Sequence, residues 1–540
     1  MPEISRAEQQ QMLLVLAQQL QARWPQTPLQ RFETPLSEVL VAGNQAWKFH
    51  KVVDTGFADF SHLAQRQADS AAEWTLNCRF APALYLGLCP VSGTHQAPRL
   101  DDNGPLIDCA VHMQAFDQQQ LWSTLARQGG LGPAEVDALA DTLCTLYRSA
   151  PVAAADGPWG QPDALYQMVD ENLQALGQLL PEAPGPQQLR TWVAQHQARW
   201  RALLDQRLQQ GRVREGHGDL HLHNIAQVDG QALPFDALAF NPALRWADVL
   251  LDLAFPVMDL HHHGLPSLAH RLQNRVLEGL GDAAGAPVLR LGLVHRAAVR
   301  ARVAALAADT SGALTYLDQA QWHSQPAPPC LLVNHGPSGS GKTVLTEALV
   351  DRLGVVRLRS DVLRKQLAGL APTDRSGTTP GSTLYAEGAT TATYTRLLSD
   401  AAAVLRAGFP ALLDASFLQR RWRDAARHLA DALGLPCLFL DFNADPATLR
   451  QRVADRNQRG QDASDATVQV LARQLQQAEP LAPDEQPGVL AVQPMAPGPN
   501  GVPQADWRAL WAWQAARHAG AITWAPSAGL APTFPPGAFP

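Results

Sequence analysis

Between residues 38 and 116 the apolar positions fall in short runs, and beyond them the period lengthens. Residues 38–53, 84–91 and 108–116 read as strand regions, and residues 60–77 between them carry a helical period. From there to the segment QPAPP at 325–329 the pattern is mostly helical, broken by a turn-rich insert at 216–241. Strands first and helices afterwards predict an α+β two-lobed fold. QPAPP breaks any helix, and past it the apolar runs 330–334, 355–358, 411–415 and 437–442 alternate with helical stretches. That alternation predicts an α/β domain with a parallel sheet. After about residue 480 the chain is rich in Pro and Gly and ends in SAGLAPTFPPGAFP, which predicts a loosely packed tail. Within it WRALWAWQAARHAG, 507–520, has the make-up of one docked amphipathic helix. The expected domains are therefore 1–325, 330–480 and a tail at 481–540.

Composition narrows this picture only in places. The chain has 540 residues, 46% hydrophobic and 17% charged, a globular balance with room for about three folding units. Its net charge of −7 gives no general electrostatic reason to expect a nucleic-acid or membrane-surface partner. The only lysines are Lys48, Lys51, Lys342 and Lys365, so nearly all positive charge is arginine and these four positions invite scrutiny. Six scattered cysteines without a CxxC pair fit a reduced, cytoplasmic compartment, and no spacing suits zinc. The N-terminus lacks the pattern of a secretion signal, and no apolar run is long enough to span a membrane.

Gly336-Pro-Ser338-Gly339-Ser340-Gly341-Lys342-Thr343 fits G-x-x-x-x-G-K-[ST], between the strand-like CLLVN and a helical sequence. Glycines there let successive N–H groups point at phosphate oxygens, and the helix N-terminus adds its dipole. Lys342 would reach the β- and γ-phosphates of ATP, and the Thr343 hydroxyl would hold Mg²⁺. The next strand ends in Arg359-Ser360-Asp361, with Arg364 one helical turn on. Asp361 reads either as a base for an attacking hydroxyl or as the N-cap of VLRKQLAGL. Arg364 and Lys365 would then hold the acceptor or a phosphoryl oxygen. Asp414 closes the strand at 411–415, where a carboxylate binds Mg²⁺ or simply starts a turn. Arg452 and Arg456, four apart, suit a lid over the phosphates or a solvated basic helix face, and Arg459 adds to either reading.

With GPSGSGKT, RSDVLRK, YAEGATTATYTRLLSDAAAVLRAG, LLDASF, RRWRDAARHLADALGLP and LRQRVADR, the segment 330–480 resembles the P-loop kinase-like ATPases of the zeta-toxin, gluconate-kinase and polynucleotide-kinase group. The resemblance implies that Asp361 is a general base and Arg364 a phosphate clamp.

Upstream, His217-Gly-Asp219-Leu-His221-Leu-His223-Asn224 places an Asn five positions after an Asp, and Asp236 follows in ALPFDALAF. This resembles the catalytic loop of aminoglycoside and choline phosphotransferases, the counterpart of the H-R-D-x-x-x-x-N loop of protein kinases. The resemblance implies a protein-kinase-like domain in which Asp219 accepts the acceptor's proton while Asn224 and Asp236 bind Mg²⁺. Three histidines in seven residues also admit a metal site. His261-His262-His263 has no such companions and reads as a solvated turn. The N-lobe lysine is assigned to Lys48, on the second strand of a hairpin turning at Gly43-Asn44, with Glu73 as its helix partner and Lys51 as the fallback; the adenine hinge is expected near 112–116. One departure is the single glycine of that hairpin. The whole layout resembles bacterial fusions of an aminoglycoside-phosphotransferase-like domain with a P-loop ATPase.

Three functions follow. The first is a cytoplasmic phosphotransferase with two Mg·ATP sites. The second is a P-loop kinase or ATPase regulated by a non-catalytic, small-molecule-binding kinase-like domain, which the single-glycine hairpin favours. The third makes the C-terminal domain a nucleic-acid end kinase, which the acidic chain disfavours relative to a small-molecule hydroxyl acceptor. Fold analogy covers choline, sugars and many other alcohols, so it singles out no acceptor.

Overall fold

The computed structural model describes residues 4–56, 58–370, 386–459, 466–495 and 503–518. The terminal SAGLAPTFPPGAFP, Gly520, Tyr385 and the Arg459 side chain lie outside the described residues. The chain divides into two compact units, one built on Met1–Leu265 with Leu291–Gln321, the other on Pro266–Arg290 with Trp322–Trp524.

In the first unit β1 (Gln30–Glu33), β2 (Ser37–Ala42), β3 (Gln45–His50), β4 (Tyr85–Thr94), β5 (Ala97–Leu100) and β6 (Leu106–Gln114) form one antiparallel sheet in the order β1-β2-β3-β6-β4-β5. Period-two alternation divides β3 between the two faces of this sheet. Trp47 and Phe49 pack with Leu40, Cys89 and Val91 against Met12, Leu13, Leu16 and Leu20 of the helix Arg6–Arg23. Ser5 and Glu8 close a capping box at that helix's start, which fixes where it begins. Lys48 and His50 turn instead toward Glu73 and Asp69 of the helix Leu63–Phe80.

The second lobe of this unit is helical and includes Pro133–Ser149, Pro162–Leu179, Gly185–Gln209 and Val249–His262. The turn-rich insert holds a hairpin of β8 (Ile225–Val228) and β9 (Gln231–Pro234), flanked by β7 (Val213–Glu215) paired with β10 (Trp246–Asp248). The expectation of a solvated turn at His261-His262-His263 is corrected here. His261 and His262 are buried at the end of an almost wholly buried helix, and the His262 ring stacks on Tyr316 at 3.8 Å.

The second unit carries a parallel sheet of β11 (Leu331–His335), β12 (Val356–Arg359), β13 (Ala411–Asp414), β14 (Cys437–Phe442) and β15 (Val489–Val492), in the order β12-β13-β11-β14-β15. β15 corrects the expectation of a loose tail, because VLAV adds a strand beside β14. The helix Arg508–His518 follows, and Trp507 and Leu510 join the core around Leu332, Leu349 and Phe442. The expected docked helix is therefore present over its described residues.

A buried ion pair fastens the start of this C-terminal segment. Arg423, on the helix Arg420–Ala432, donates through Nε and Nη2 to the two carboxylate oxygens of Glu485 at 2.8 and 3.0 Å, with both side chains fully buried. Its remaining donors meet the carbonyls of Phe417, Leu418, Glu479 and Pro480, so the guanidinium is fully satisfied. Burial opposes charge on Glu485, but the Arg423 hydrogen bond and its neighbours hold that carboxyl down at about 2.

Glu485→Gln should therefore destabilise the second unit by about 3–5 kcal/mol, since it leaves a buried guanidinium uncompensated, whereas the double replacement Arg423→Met/Glu485→Leu should recover most of that loss. Denaturant unfolding of the full chain checks both. The pair's contribution should be complete above the unfolded-state carboxyl pKa of about 4.3 and fade as pH falls toward 2.

Candidate active sites

In the first unit the loop 217–224 is held from beneath by two carboxylates of the helix Val249–His262. Asp252 accepts the N–H groups of His217 and Gly218 at 3.1 and 2.8 Å, and Asp259 accepts that of Leu222 at 2.8 Å. Seven residues apart on a helix, the two face the same way and fix the loop at both ends. The loop delivers Asp219, buried, with Oδ2 accepting from Asn224 Nδ2 at 2.9 Å and Oδ1 left without a hydrogen-bond partner among the described residues. His221 Nε2 lies 3.3 Å from the same Oδ2.

Asp236 approaches from the other side of the cavity with φ +60°, a left-handed conformation that Asp tolerates better than most residues. Its backbone N–H donates to the Tyr85 hydroxyl at 3.0 Å, and the next N–H, of Ala237, donates to Asn77 Oδ1 at 2.8 Å, which secures that turn. Lys48 Nζ stands 2.5 Å from Asp236 Oδ1 and 3.0 Å from Glu73 Oε1. Lys48, Glu73, Asp219, Asn224 and Asp236 thus line one cavity, with His223 and Arg300 also on its wall. Lys51 instead reaches Glu33, at 2.6 Å.

Burial disfavours the Lys48 ammonium, but the Asp236 and Glu73 carboxylates outweigh it and hold the lysine well above its usual value. Two carboxylates share one cation. Glu73 is pushed up to about 7 by burial despite Lys48, while Lys48 overcomes burial at Asp236 and holds it below its usual value. His50 is kept neutral, its pKa down at about 3, by burial and by Lys48. His50, Asp69 and Glu73 bring ligand atoms within 4.8 Å of one another, yet the Lys48 ammonium beside Glu73 repels a second cation there.

In the second unit the loop 336–341 links β11 to the helix Lys342–Leu345. A Cβ at Gly336 (φ +137°) would lie 2.5 Å from the Phe442 carbonyl oxygen, and one at Gly339 (φ +85°) 2.8 Å from that of Leu449. Only glycine fits either place. Lys342 Nζ donates to the carbonyls of Gly336 and Pro337 at 2.8 Å each and lies 3.4 Å from Ser340 Oγ. Burial lowers this ammonium to about 8, only partly offset by Asp414 and Asp361. Thr343 Oγ1 donates to Asp414 Oδ2 at 2.8 Å, and Asn334 Nδ2 to Asp414 Oδ1 at 2.9 Å. A hydroxyl and a carboxylate at the loop's edge are hard oxygen donors of the kind Mg²⁺ takes.

Asp361 stands in the first turn of the helix Ser360–Leu367, whose N-cap is Arg359, so the N-cap reading of Asp361 is corrected. Its Oδ1 lies 3.1 Å from Arg364 Nη1. Both residues line an open cleft of about 960 Å³ that also contains Lys342, Thr343 and Asp414. Lys365 is buried in the same helix and does not line the cleft, which removes it from the expected acceptor clamp. Arg452 Nη1 lies 3.4 Å from the Gly339 carbonyl oxygen, and Arg456 donates to the Ala466 carbonyl at 3.0 Å. Both arginines face the cleft.

Several cleft residues escape a reading of motifs. Gln474 Oε1 accepts the Ser338 N–H at 2.9 Å, and Tyr394 stacks on Trp422 at 4.6 Å, with both aromatic rings on the wall. Arg271 and Arg275, from before the Pro-rich segment, line it as well. A helical period marks that their segment is a helix, but no local signal says which sheet it joins.

The chain is 27% identical over 452 residues to "Uncharacterized protein Rv2004c" of Mycobacterium tuberculosis and equally to "Uncharacterized protein Mb2027c" of Mycobacterium bovis, covering 82% of this chain and 88% of each relative. Among solved structures it is similar to a choline/ethanolamine kinase family protein from Mesorhizobium loti, with 14% identity, 58% of this chain and 95% of that chain covered, and a TM-score of 0.33. It is also similar to a gluconokinase from Sinorhizobium meliloti 1021, with 25% identity, 31% and 83% covered, and a TM-score of 0.20. Among the described residues no helix is long and apolar enough to cross a membrane. Residues 331–481, which hold the phosphate loop, Asp361, Asp414, Arg452 and Arg456, match the family model described as an AAA domain.

Proposed function

We propose that the protein is an ATP-dependent, Mg²⁺-dependent phosphotransferase with a nucleotide site in each unit, acting on hydroxyl groups of small molecules. The observation that carries the reading is the set Lys342, Thr343–Asp414 and Asp361–Arg364 on one cleft wall, which unites a phosphate cradle, a metal-ligand pair and a base. When bound, Mg·ATP supplies the transferable γ-phosphoryl group. Thr343 and Asp414 would hold the metal, and Lys342 with the loop N–H groups of Gly339 and Gly341 would hold the phosphates, those of Gly336, Ser338 and Ser340 being already bound to Ser416, Gln474 and Pro337. Asp361 takes the acceptor hydroxyl's proton, and Arg364, already paired with it, keeps that carboxylate aimed into the cleft. Arg452 and Arg456 close over the phosphates.

The first unit supports the same chemistry. Asp219, with its unpartnered Oδ1, is the base, and Asn224 and Asp236 are the metal ligands. Asn224 spends Nδ2 on Asp219, which leaves Oδ1 as its ligand atom. Lys48, fixed by Glu73, would hold the nucleotide's phosphates.

One observation favours a second reading for this unit, a regulatory module that binds without transferring. β2 and β3 are joined by the two residues Gly43-Asn44, with Ala42 paired to Gln45, and the turn from Thr34 to Ser37 between β1 and β2, whose Thr34, Leu36 and Ser37 line the cavity, contains no glycine. The N–H of Ala115, in the expected hinge, is already bound to the Asn44 carbonyl at 2.9 Å.

Asp361→Asn should lower transfer at the C-terminal site by about 10²- to 10⁴-fold while ATP affinity there stays within about twofold. This is checked by product formation and nucleotide titration in a chain also carrying Asp219→Asn. Strong residual transfer would remove the base role. Asp219→Asn alone should cost the first unit's turnover to the same extent, and unchanged turnover favours the regulatory reading.

A pH dependence follows from Lys342. Its pKa of about 8 in the free loop should rise when phosphates replace the carbonyls around it, so nucleotide binding takes up a proton above pH 8. Affinity for a non-hydrolysable ATP analogue should be flat below that pH and fall by up to about tenfold per unit above it. Calorimetry in two buffers of different ionisation enthalpy measures the proton directly.

A further inference from the structure

The helix Pro266–Leu280 precedes the Pro-rich segment and the phosphate loop, yet it belongs to the second unit. It lies along β12, the edge strand of the parallel sheet that ends just before Asp361. Asn274 Oδ1 accepts the Arg357 N–H at 2.7 Å, a donor on that strand. One turn later Glu278 meets Arg359 at 3.0 Å and Arg357 at 3.5 Å. The helix is thereby fastened to the strand that leads into the helix of the proposed base. On it, Arg271 and Arg275, also one turn apart, line the cleft.

We infer that this helix forms the acceptor side of the C-terminal site, and that Arg275, with Arg271 one turn before it, binds a phosphate or carboxylate group carried by the hydroxyl acceptor. The inference rests on the reading of this cleft as a phosphotransfer site.

Three observations support it. First, the sheet order puts β12 and β14 on opposite sides of β11. Arg452 stands on the helix that follows β14, against the phosphate loop, whereas Arg271 and Arg275 belong to the helix on β12, beside Asp361. The two sets of guanidiniums therefore reach the cleft from opposite flanks, one toward the nucleotide and one toward the base.

Second, the cleft, of about 960 Å³, lies at the upper end of the roughly 300–1000 Å³ of small-molecule sites, and its wall runs from Arg452 and the phosphate loop to Asp361 and Arg275.

Third, eight arginines line the cleft against four carboxylates, and those carboxylates are already engaged: Asp414 by Thr343 and Asn334, Asp361 by Arg364, Glu347 by Arg357 and Asp455 by Gln451. Arg271 is held at 3.3 Å from Asp351 and 3.4 Å from Glu347, so its place on the wall is fixed, while Arg275 is exposed there. A planar guanidinium pairs bidentately with phosphate or carboxylate and has no equivalent geometry for a neutral polyol. The positive surplus near the base is thus matched by an anionic acceptor.

The test uses the full chain saturated with Mg²⁺ and a non-hydrolysable ATP analogue, titrated with inorganic phosphate. Wild-type protein should bind phosphate, Arg275→Gln should weaken that binding about tenfold or more, and Arg275→Lys should recover part of it, with analogue affinity unchanged throughout. Equal phosphate affinity in wild type and Arg275→Gln, or no phosphate binding by wild type, overturns the inference. Failure of the analogue to bind would sink the phosphotransfer reading separately, and the phosphate comparison between the two proteins still decides this one. In a transfer assay of sugar phosphates and hydroxy acids beside the neutral polyols of the same skeleton, turnover should be confined to the anionic members, and the two anionic sets identify the group bound. Arg275→Gln should raise KM for the accepted compound about tenfold while leaving kcat within about twofold. Preferred turnover of a neutral polyol, or of an oligonucleotide with a free 5′-hydroxyl, overturns it.

Discussion

A charge taken out of water must meet an opposite charge or a set of dipoles already in place, and this requirement shapes the two sites differently. Lys48, with a side chain 13% exposed, is met by two carboxylates, so its cavity is negative before any ligand arrives. Lys342 is met by carbonyl dipoles, and its ammonium is weakened by burial. Phosphates entering the second site therefore relieve an unfavourable state. Phosphates entering the first meet Asp219 and Asp236 and need a divalent cation to bridge like charges. On the proposed reading a metal would thus be an electrostatic necessity in the kinase-like cavity and an addition to an already positive cradle in the P-loop cleft.

The edge of the parallel sheet shows the same principle applied to backbone. An edge strand presents unpaired N–H groups that call for cover. At β12 the cover is a side-chain amide, Asn274, with Glu278 bridging Arg357 and Arg359 beside it. Arg357 is almost fully buried and also reaches Glu347 at 2.6 Å, in the helix that continues from the phosphate loop. One guanidinium therefore ties the strand that leads into the proposed base to the helices that follow the phosphate loop. Rigid support behind reacting groups is what gives a site its precision, and here that support comes from buried ion pairs more than from apolar packing.

Legibility in the sequence follows the range of the interaction. The phosphate loop is readable because every demand on it is local: glycines where a Cβ would strike a carbonyl, a lysine and a threonine at the first helical positions. The two-lobed and parallel-sheet architectures are readable from the order of apolar runs, and the gathering of Lys48, Glu73 and Asp236 is what the resemblance to the phosphotransferase loop implies. The pairing of Asn274 with Arg357 spans 83 residues and leaves no local trace. VLAV is too short, amid Pro and Gly, to declare itself a strand until β14 offers an edge. The three histidines at 261–263 mislead because a histidine's polarity depends on its surroundings. Burial lowers His262 to about 4, so it enters the core uncharged and stacks on Tyr316.

The scarcity of lysine gains a physical meaning from where the four residues lie. Lysine is ordinarily a surface residue, yet Lys51 and Lys365 are buried and Lys48 and Lys342 are largely so. Arginine carries almost all the exposed positive charge, including the ion pairs of Arg190, Arg201 and Arg420 with surface carboxylates. An ammonium on a flexible stem converges several donors on one point, as Lys51 does on Glu33 and the Thr34 carbonyl. A guanidinium is planar and must be met edge-on. Position in the interior, and not nucleotide binding alone, is therefore what the lysines share. Lys365 makes the case, being buried and not among the residues that line the cleft. A rare residue type marks where a compact buried cation is required, and two of those places are the proposed nucleotide cradles, a phosphate being one of the few ligands that need such a cation.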